Sequence, residues 1–440
     1  MYFFVINYFI HYGQHITEDK DSGKDYGTMK ILVKKSDKLH GEITAGGSKN
    51  AALPIMAATM LSGKKCKLYD IPNLADTQNL NDIMCGLGVK ICDGNYDTSN
   101  LTDCMTRYDE AKKLRGSFLL AAPLLSRFGR AQIALPGGCP IGTRPIDLHL
   151  KGFRALGAEV ETLHGMVDIK CKKLKGAKIY LDFPSVGATE NLIMAAVTAE
   201  GETLIENAAA EPEVEDLCNF LNKQGARITG AGGNTIQIEG VKELNACSHR
   251  IIPDRIEAGT YITAFAITNG RGRVKNVRAE HQKPLLAKLK EMGVRIYEDG
   301  DDFVIDASGR IKSANIKTLP YPGFPTDMQA QFSSLLSVAE GTGMIVETVF
   351  ENRFLHIAEL LRMGANIKTD GRTSVIEGVG KLMGTKVDAR DLRGGAALAL
   401  AGLVADGETE ISGAEHICRG YESFCEKLSG IGADIFLMEN

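Results

Sequence analysis

The chain lacks the features that mark a protein for nucleic acid, membrane or metal. Lys and Arg number 51 against 55 Asp and Glu, a formal net charge of −4 over 440 residues. Without a basic excess there is no dedicated surface for nucleic acid or an anionic bilayer, although a near-zero total leaves room for a local basic pocket. Ten cysteines are present, yet none stands in a C-x-x-C pair and no His/Cys cluster has zinc-site spacing. The plain reading is reduced thiols in a cytosolic protein, with no metal. The G-x-x-x-x-G-K-[ST] frame of a P-loop is absent. The apolar opening MYFFVINYFI has no basic leading segment and no small-residue cleavage site, and its ten residues are too few to span a bilayer. A polar, glycine-containing stretch comes next, and Met29 then opens the strand-like run MKILVKK. Residues 1–28 are therefore read as a disordered or artefactual leader.

What the chain does have is repetition. A bulky residue, Gly, a small or β-branched residue, any residue and then Ile or Val recur as LGVKI at Leu87, LGAEV at Leu156, QGARI at Gln224, MGVRI at Met292, MGANI at Met363 and IGADI at Ile431. The successive spacings are 69, 68, 68, 71 and 68 residues. A second signature precedes each by about 25 residues: SGKKCKLYDI, FGRAQIAL, EGETLIEN, NGRGRVKNV, EGTGMIVET and DGETEISG. One unit reads as a Gly-led turn into a short alternating strand, an amphipathic helix such as Glu215 to Lys223 or Leu285 to Glu291, a left-handed glycine at the helix end, and a further strand. A second helix joins each unit to the next. Units of this length exceed the ~20–50 residues usual for a stacked solenoid, so a division into three plus three is preferred, with a hinge near Cys247 to Arg255.

Four stretches carry residue types suited to anion chemistry. Gly46-Gly47-Ser48-Lys49-Asn50 places a lysine at a helix start, where free amides and the helix dipole favour an anion. The Gly/Pro-rich loop Leu135 to Asp147 contains Cys139 five residues before Arg144. Arg115, Arg144, Arg393 and Arg419 all stand beside glycine or at element ends, and guanidinium groups bind phosphate and carboxylate through paired donors. Asp327, after Pro325-Thr326, falls in the first turn of a predicted helix. There it is either a simple dipole-matching acid or a base aimed into a cleft. Each of these taken singly has an ordinary structural explanation.

Together they resemble the UDP-N-acetylglucosamine 1-carboxyvinyltransferase family. GGSKNAALPI, LPGGCPIGTRPIDLH, DFPSVGATEN, FPTDMQAQF, ETVFENRF, DLRGG and HICRGYE occur in that family's order, from about Lys30 to the C-terminus. The resemblance implies a mixed α/β fold of two domains, each an inside-out barrel of three repeated units. The domains are placed at residues 49–251 and at 29–48 plus 252–440, with the site between them. It implies transfer of the enolpyruvyl group of phosphoenolpyruvate to the 3′-hydroxyl of UDP-N-acetylglucosamine in peptidoglycan precursor synthesis, in the cytoplasm. No cofactor and no membrane insertion are implied. Lys49, Arg144 and Arg419 would hold phosphoenolpyruvate and its phosphate, with Arg115 and Arg393 adding to the cationic pocket. Cys139 would serve proton delivery and product release and would be the residue alkylated by fosfomycin. Asp327 would be the base at the sugar hydroxyl. Asn50, Pro145, Ile146, Asp147, Ser185, Val186, Gly187 and Val349 would line the UDP-sugar site, with Arg353 nearby. Phe183 departs from the lysine some members carry there, which puts one uridine contact in doubt. The nearest alternatives are a shikimate phosphate acceptor, as in the related enolpyruvylshikimate phosphate synthase, and a non-catalytic UDP-sugar-binding paralogue.

Overall fold

The computed structural model describes residues 29–108, 114–135, 142 and 146–438. The reading of residues 1–28 as a leader lies outside the described residues.

The repeated glycines have a common backbone cause. In the first signature all six take positive φ: Gly88 98°, Gly157 92°, Gly225 100°, Gly293 98°, Gly364 90° and Gly432 96°. Such a residue just past a helix end lets the chain turn back at once into a strand, and glycine does this without a Cβ penalty. At the second signature Gly63, Gly129, Gly201, Gly341 and Gly407 are also left-handed, and Asn269 takes that conformation in the fourth copy.

Each repeat is richer than strand, helix, strand. In the third, strand Glu202–Glu206 leads to the amphipathic helix Pro212–Lys223 and then to a hairpin, Arg227–Thr229 and Thr235–Glu239, whose second arm pairs antiparallel with the first strand. A fourth strand, Lys178–Tyr180, lies parallel on the open edge and precedes the buried helix Val186–Ala196. The first arm is the strand expected after the glycine; the second arm and the edge strand are additional. The same sheet order recurs through the chain, with a single bridge, Met105 to Gln132, standing for the edge strand in the second copy. The two helices anticipated in part extend further back, to Pro212 and Ala279. In the second, Pro284 sits inside the helix and hid its beginning.

Two helix types divide the labour. Lys49–Ala58, Val186–Ala196, Arg255–Ile267, Gln329–Leu336 and Leu392–Gly402 are buried along almost their whole length, and Ala121–Phe128 along its first five residues. Helices apolar on all sides belong inside. The amphipathic helices, among them Ala75–Gly86 and Asp147–Ala155, bury only one stripe. No described helix is long and apolar enough to cross a membrane, and no described group of three or more His, Cys, Asp or Glu has metal-site geometry.

The buried apolar side chains form two clusters, the cores of two lobes. One runs from Ala51 to Ile252; the other joins Ile31 to Ala45 with Ile256 to Ile435. The first strands belong to the second lobe. Lys30–Lys34 sits between Glu408–Ser412 and Ile435–Met438, and His40–Thr44 pairs parallel with Arg271–Lys275. The chain thus passes between lobes twice, and the two crossings are bonded together. Ser48 N donates to Ile252 O (2.7 Å), and Asp254 N donates to Gly46 O (2.8 Å). A Cβ on Gly47 would lie 1.8 Å from Asp70 O, so only glycine fits here. Gly47→Ala is expected to destabilise the protein by about 2 kcal/mol through overpacking, read as a lowered midpoint in urea unfolding.

Candidate active site

Several of the residues singled out in the sequence stand where the buried helices begin, while Arg419 follows the end of helix Ala414–Cys418. Lys49 is the first residue of its helix, and Arg115 opens the short helix Arg115–Leu120 ahead of Ala121–Phe128. Ser185 caps Val186–Ala196 and accepts from Ala188 N. Asp327 lies in the turn Thr326–Met328 that leads into Gln329–Leu336, and Arg393 is the second residue of Leu392–Gly402. The remaining buried helix, Arg255–Ile267, begins at Asp254, which sequence reasoning passed over. Helix starts leave amides unpaired inside the helix and carry its positive end. Asp254 uses this fully. Its Oδ1 accepts from Ile256 N (2.8 Å) and Glu257 N (3.0 Å), and its Oδ2 accepts from Lys49 N (3.3 Å), so one carboxylate caps a helix in one lobe and holds the start of a helix in the other.

The charged side chains form two clusters, one of which crosses the lobes. Lys49 Nζ donates to Asp76 Oδ2 (3.1 Å), and Arg419 Nε donates to Asp76 Oδ1 (2.9 Å). Asp76 is in the first turn of Ala75–Gly86 and is buried, while Arg419 comes from the second lobe. Asp327 is clasped by two guanidinium groups. Arg353 Nη2 reaches Oδ1 at 2.9 Å, and Arg393 Nη2 and Nε reach Oδ2 at 3.0 and 3.2 Å. Arg393 also lies over the Tyr421 ring, 5.2 Å from its centroid, a cation–π placement.

Burial and charge set the protonation tendencies. Burial pulls the Lys49 ammonium below its usual range; Asp76 opposes this, the nearby Arg393 adds to it, and Asp327 is close enough to act on it as well. For Asp76 burial alone would favour the neutral acid, but Lys49 and Arg419 outweigh it and hold the carboxyl below its usual range. Lys49, Arg353, Arg393 and Arg419 gather around Asp76, Asp254 and Asp327, with Glu347 and Asp391 close by. Arg393 Nη1 is buried with no acceptor among the described residues. Asp327 and Arg419 keep about a quarter and two fifths of their side-chain surface exposed, so both clusters reach solvent.

Of the other predicted residues, Asn50 is half-buried beside Lys49. Ser185, Val186 and Gly187 are half-buried, and a Cβ on Gly187 would sit 3.3 Å from His149 Cε1, on the helix that starts at Asp147 after Ile146. Val349 N donates to Glu347 Oε1 (2.8 Å), and the same carboxylate accepts from Thr318 and Thr326 hydroxyls at 2.9 and 2.8 Å. Phe183 is 43% exposed. Cys139, Arg144, Pro145 and the Arg115 side chain lie outside the described residues. Of the loop between, Gly142 is described. A Cβ there would come within 2.9 Å of Glu351 Oε2, so this point of the loop rests against the second lobe. Asp76, Asp254 and Glu347 were missed. Their signal, an acid at a helix start or strand end, is the same one any structural acid gives.

The arrangement defines a two-lobed α/β protein of repeated units with clustered charged residues at helix starts. The chain belongs to the EPSP synthase (3-phosphoshikimate 1-carboxyvinyltransferase) family, whose profile matches residues 33–428. It is 52% identical over 412 residues to UDP-N-acetylglucosamine 1-carboxyvinyltransferase 2 of Carboxydothermus hydrogenoformans, covering 92% of this chain and 98% of that one. It is 54% identical over 410 residues to UDP-N-acetylglucosamine 1-carboxyvinyltransferase of Halothermothrix orenii, covering 92% and 99%. Among solved structures, the fold is similar to the enolpyruvyl transferase NikO of Streptomyces tendae, with a TM-score of 0.84, 24% identity and 94% of this chain covered against 100% of that one. EPSP synthase of Acinetobacter baumannii gives a TM-score of 0.73 at 19% identity, covering 93% and 100%.

Two measurements test the electrostatics. Asp76→Asn leaves Lys49 and Arg419 without their shared counter-charge, and is expected to cost on the order of 3 kcal/mol, seen as a lower urea midpoint than that of wild type. His356 is buried beside Arg353 with neither ring nitrogen hydrogen-bonded among the described residues. Burial lowers it to about 4, with Arg353 adding to the effect and Asp391 opposing it. An unfolded histidine takes a proton near pH 6.5 while the folded one stays neutral, so this contribution is complete above pH 6.5 and is lost as pH falls toward 4. The loss is on the order of 3 kcal/mol. Thermal melts across this window should fall less steeply in His356→Leu than in wild type.

Proposed function

We propose that the chain transfers the carboxyvinyl group of phosphoenolpyruvate to the 3′-hydroxyl of UDP-N-acetylglucosamine, releasing phosphate, as the first committed step of peptidoglycan precursor synthesis. The observation that carries this reading is the cross-lobe cluster of Lys49, Asp76 and Arg419, with Asp327 and Arg393 close enough to act on Lys49. The names of relatives more than half identical support the choice of acceptor. The reading takes residues 49–251 as one domain and 29–48 with 252–440 as the other; the two buried clusters and the paired crossings support that division. Both substrates are soluble anions, which puts the reaction in the cytoplasm.

In this mechanism C3 of the enol gains a proton and C2 becomes electrophilic. The sugar 3′-hydroxyl attacks C2 as its proton passes to a carboxylate, and the tetrahedral adduct then expels phosphate as C3 gives up a proton. Lys49 and Arg419, with Arg144, hold the carboxylate and phosphate of phosphoenolpyruvate, and fixed cations in a closed site stabilise the charge that develops. Arg115 and Arg393 add to this field. Asp327 takes the hydroxyl proton. Its clasp by Arg353 and Arg393 fixes the carboxylate while leaving it in contact with solvent. Cys139, on the loop whose Gly142 meets Glu351, takes part in proton delivery and product release. Asn50, Pro145, Ile146, Asp147, Ser185, Val186, Gly187 and Val349 line the acceptor site. Phosphoenolpyruvate is itself activated, so the chemistry needs no metal or organic cofactor.

The direct test is phosphate release from phosphoenolpyruvate with UDP-N-acetylglucosamine, compared with shikimate 3-phosphate as acceptor. Release with the sugar nucleotide alone is expected, and release with neither overturns the reading. Asp327→Asn should lower kcat by about 10²–10⁴-fold while KM for UDP-N-acetylglucosamine stays within about threefold, the pattern of an interaction made only in the transition state. Steady-state kinetics separates this from a binding role, in which KM would rise with kcat unchanged.

A further inference from the structure

The sheet of the first repeat carries three cysteines that the proposed chemistry does not use, Cys66, Cys92 and Cys247, and two of them face each other. Cys66 is the second residue of strand Lys65–Tyr69, and Cys247 comes just before strand Ser248–Arg250. The strands run parallel with Ser248 opposite Lys67 and His249 opposite Leu68, which sets Cys247 opposite Cys66 one step before the ladder begins. Lys67 N donates to Cys247 O (3.0 Å) and holds that register. Residues opposed in this way point to one face, here the face of the buried Leu68 and His249. Neighbouring strands lie about 4.8 Å apart, inside the roughly 4.4–6.8 Å window of Cα separations that a disulfide spans. Cys66 is buried and Cys247 half-buried, and both are free thiols. Gln224 Nε2 donates to Cys66 Sγ at 3.3 Å.

We propose that Cys66 and Cys247 form a modification site, a reversible disulfide made by exchange with a small disulfide of the glutathione type, which clasps the last strand of the first lobe to its first. The exchange balances in two steps. Cys66 first gives its own proton to solvent and, as the thiolate, draws off the proton of Cys247 while that half-exposed member attacks one sulfur of the small disulfide; a mixed disulfide forms and one small thiolate leaves. That thiolate takes the Cys247 proton from Cys66, which then attacks Cys247 Sγ and expels the second small thiolate, and this takes up the proton first released to solvent. Two protein thiols are oxidised and one small disulfide is reduced to two thiols. The hydrogen bond from Cys247, aided by Gln224 and opposed by burial, holds the Cys66 thiol below its ordinary value. This suits Cys66 to the resolving step. The clasp sits at the root of the crossing, because the strand it fixes runs within a few residues into Asp254.

The test uses the full chain treated with oxidised glutathione, alkylated, digested without reductant and mapped by mass spectrometry. Wild type is expected to yield a peptide pair joined through Cys66 and Cys247. Cys66→Ser should instead accumulate a glutathione adduct on Cys247, and Cys247→Ser, at the less buried position, should yield neither product. A lasting adduct on Cys247 in wild type, or both thiols still open to alkylation, would overturn the proposal. The cross-linked wild type should also melt several degrees higher and return to its starting midpoint with dithiothreitol; an unchanged midpoint would refute the clasp.

Discussion

Asp76 is the charge on which the site depends. It is buried, it comes from an outer helix of the first lobe, and it accepts from Lys49 on a central helix and from Arg419 on the other lobe. A lone carboxylate in such a place would be driven to protonate, and two cations left alone there would repel each other; each of the three is tolerable because of the others. The bonds that place Lys49 obey the same logic. Its main-chain amide is held by Asp254, and Gly46 N is held by Glu257, which also accepts from Tyr261 and Lys427. The segment that presents the lysine is therefore fastened by acids of the second lobe, although the helix it begins lies in the first.

The repeat architecture explains why the chemistry gathers at one place. Three buried helices per lobe give six starts, and each begins with a capping or charged residue or comes after a turn that carries one. A symmetric scaffold supplies the same local electrostatics six times, and substitution at individual starts then differentiates them into lysine, arginine, serine or aspartate. Where the backbone must come close, as at Gly47 against Asp70 O, side-chain volume is given up for position.

The repeats were legible in the sequence because they rest on backbone constraints that only a few residue types satisfy. Six glycines with φ between 90° and 100° leave a mark that survives divergence everywhere else. The first arm of each hairpin was legible as the strand after the glycine, but edge strands as short as Lys178–Tyr180 carry no periodicity, and Pro284 masked half of a helix. The cations of the site drew notice because lysine and arginine recur at glycine turns and element ends, where they suit anions. Their grouping did not, since Asp76 and Arg419 are 343 residues apart and only the closed topology brings them together. The resemblance supplied that grouping. The acids that organise it, Asp76, Asp254 and Glu347, remained hidden among ordinary helix and strand ends.

The placement of strand Lys30–Lys34 between Glu408–Ser412 and Ile435–Met438 has a consequence for biogenesis. Everything from Ala51 to Ile252 packs on itself and is contiguous, so it can compact while the ribosome is still translating the second lobe. The strands at 30–44 leave the exit tunnel first, yet they must wait unpaired until their partners arrive, the last of them more than 400 residues later. Their lysines, Lys30, Lys34, Lys35 and Lys38, keep this early segment charged through that interval and so discourage it from pairing with another nascent chain.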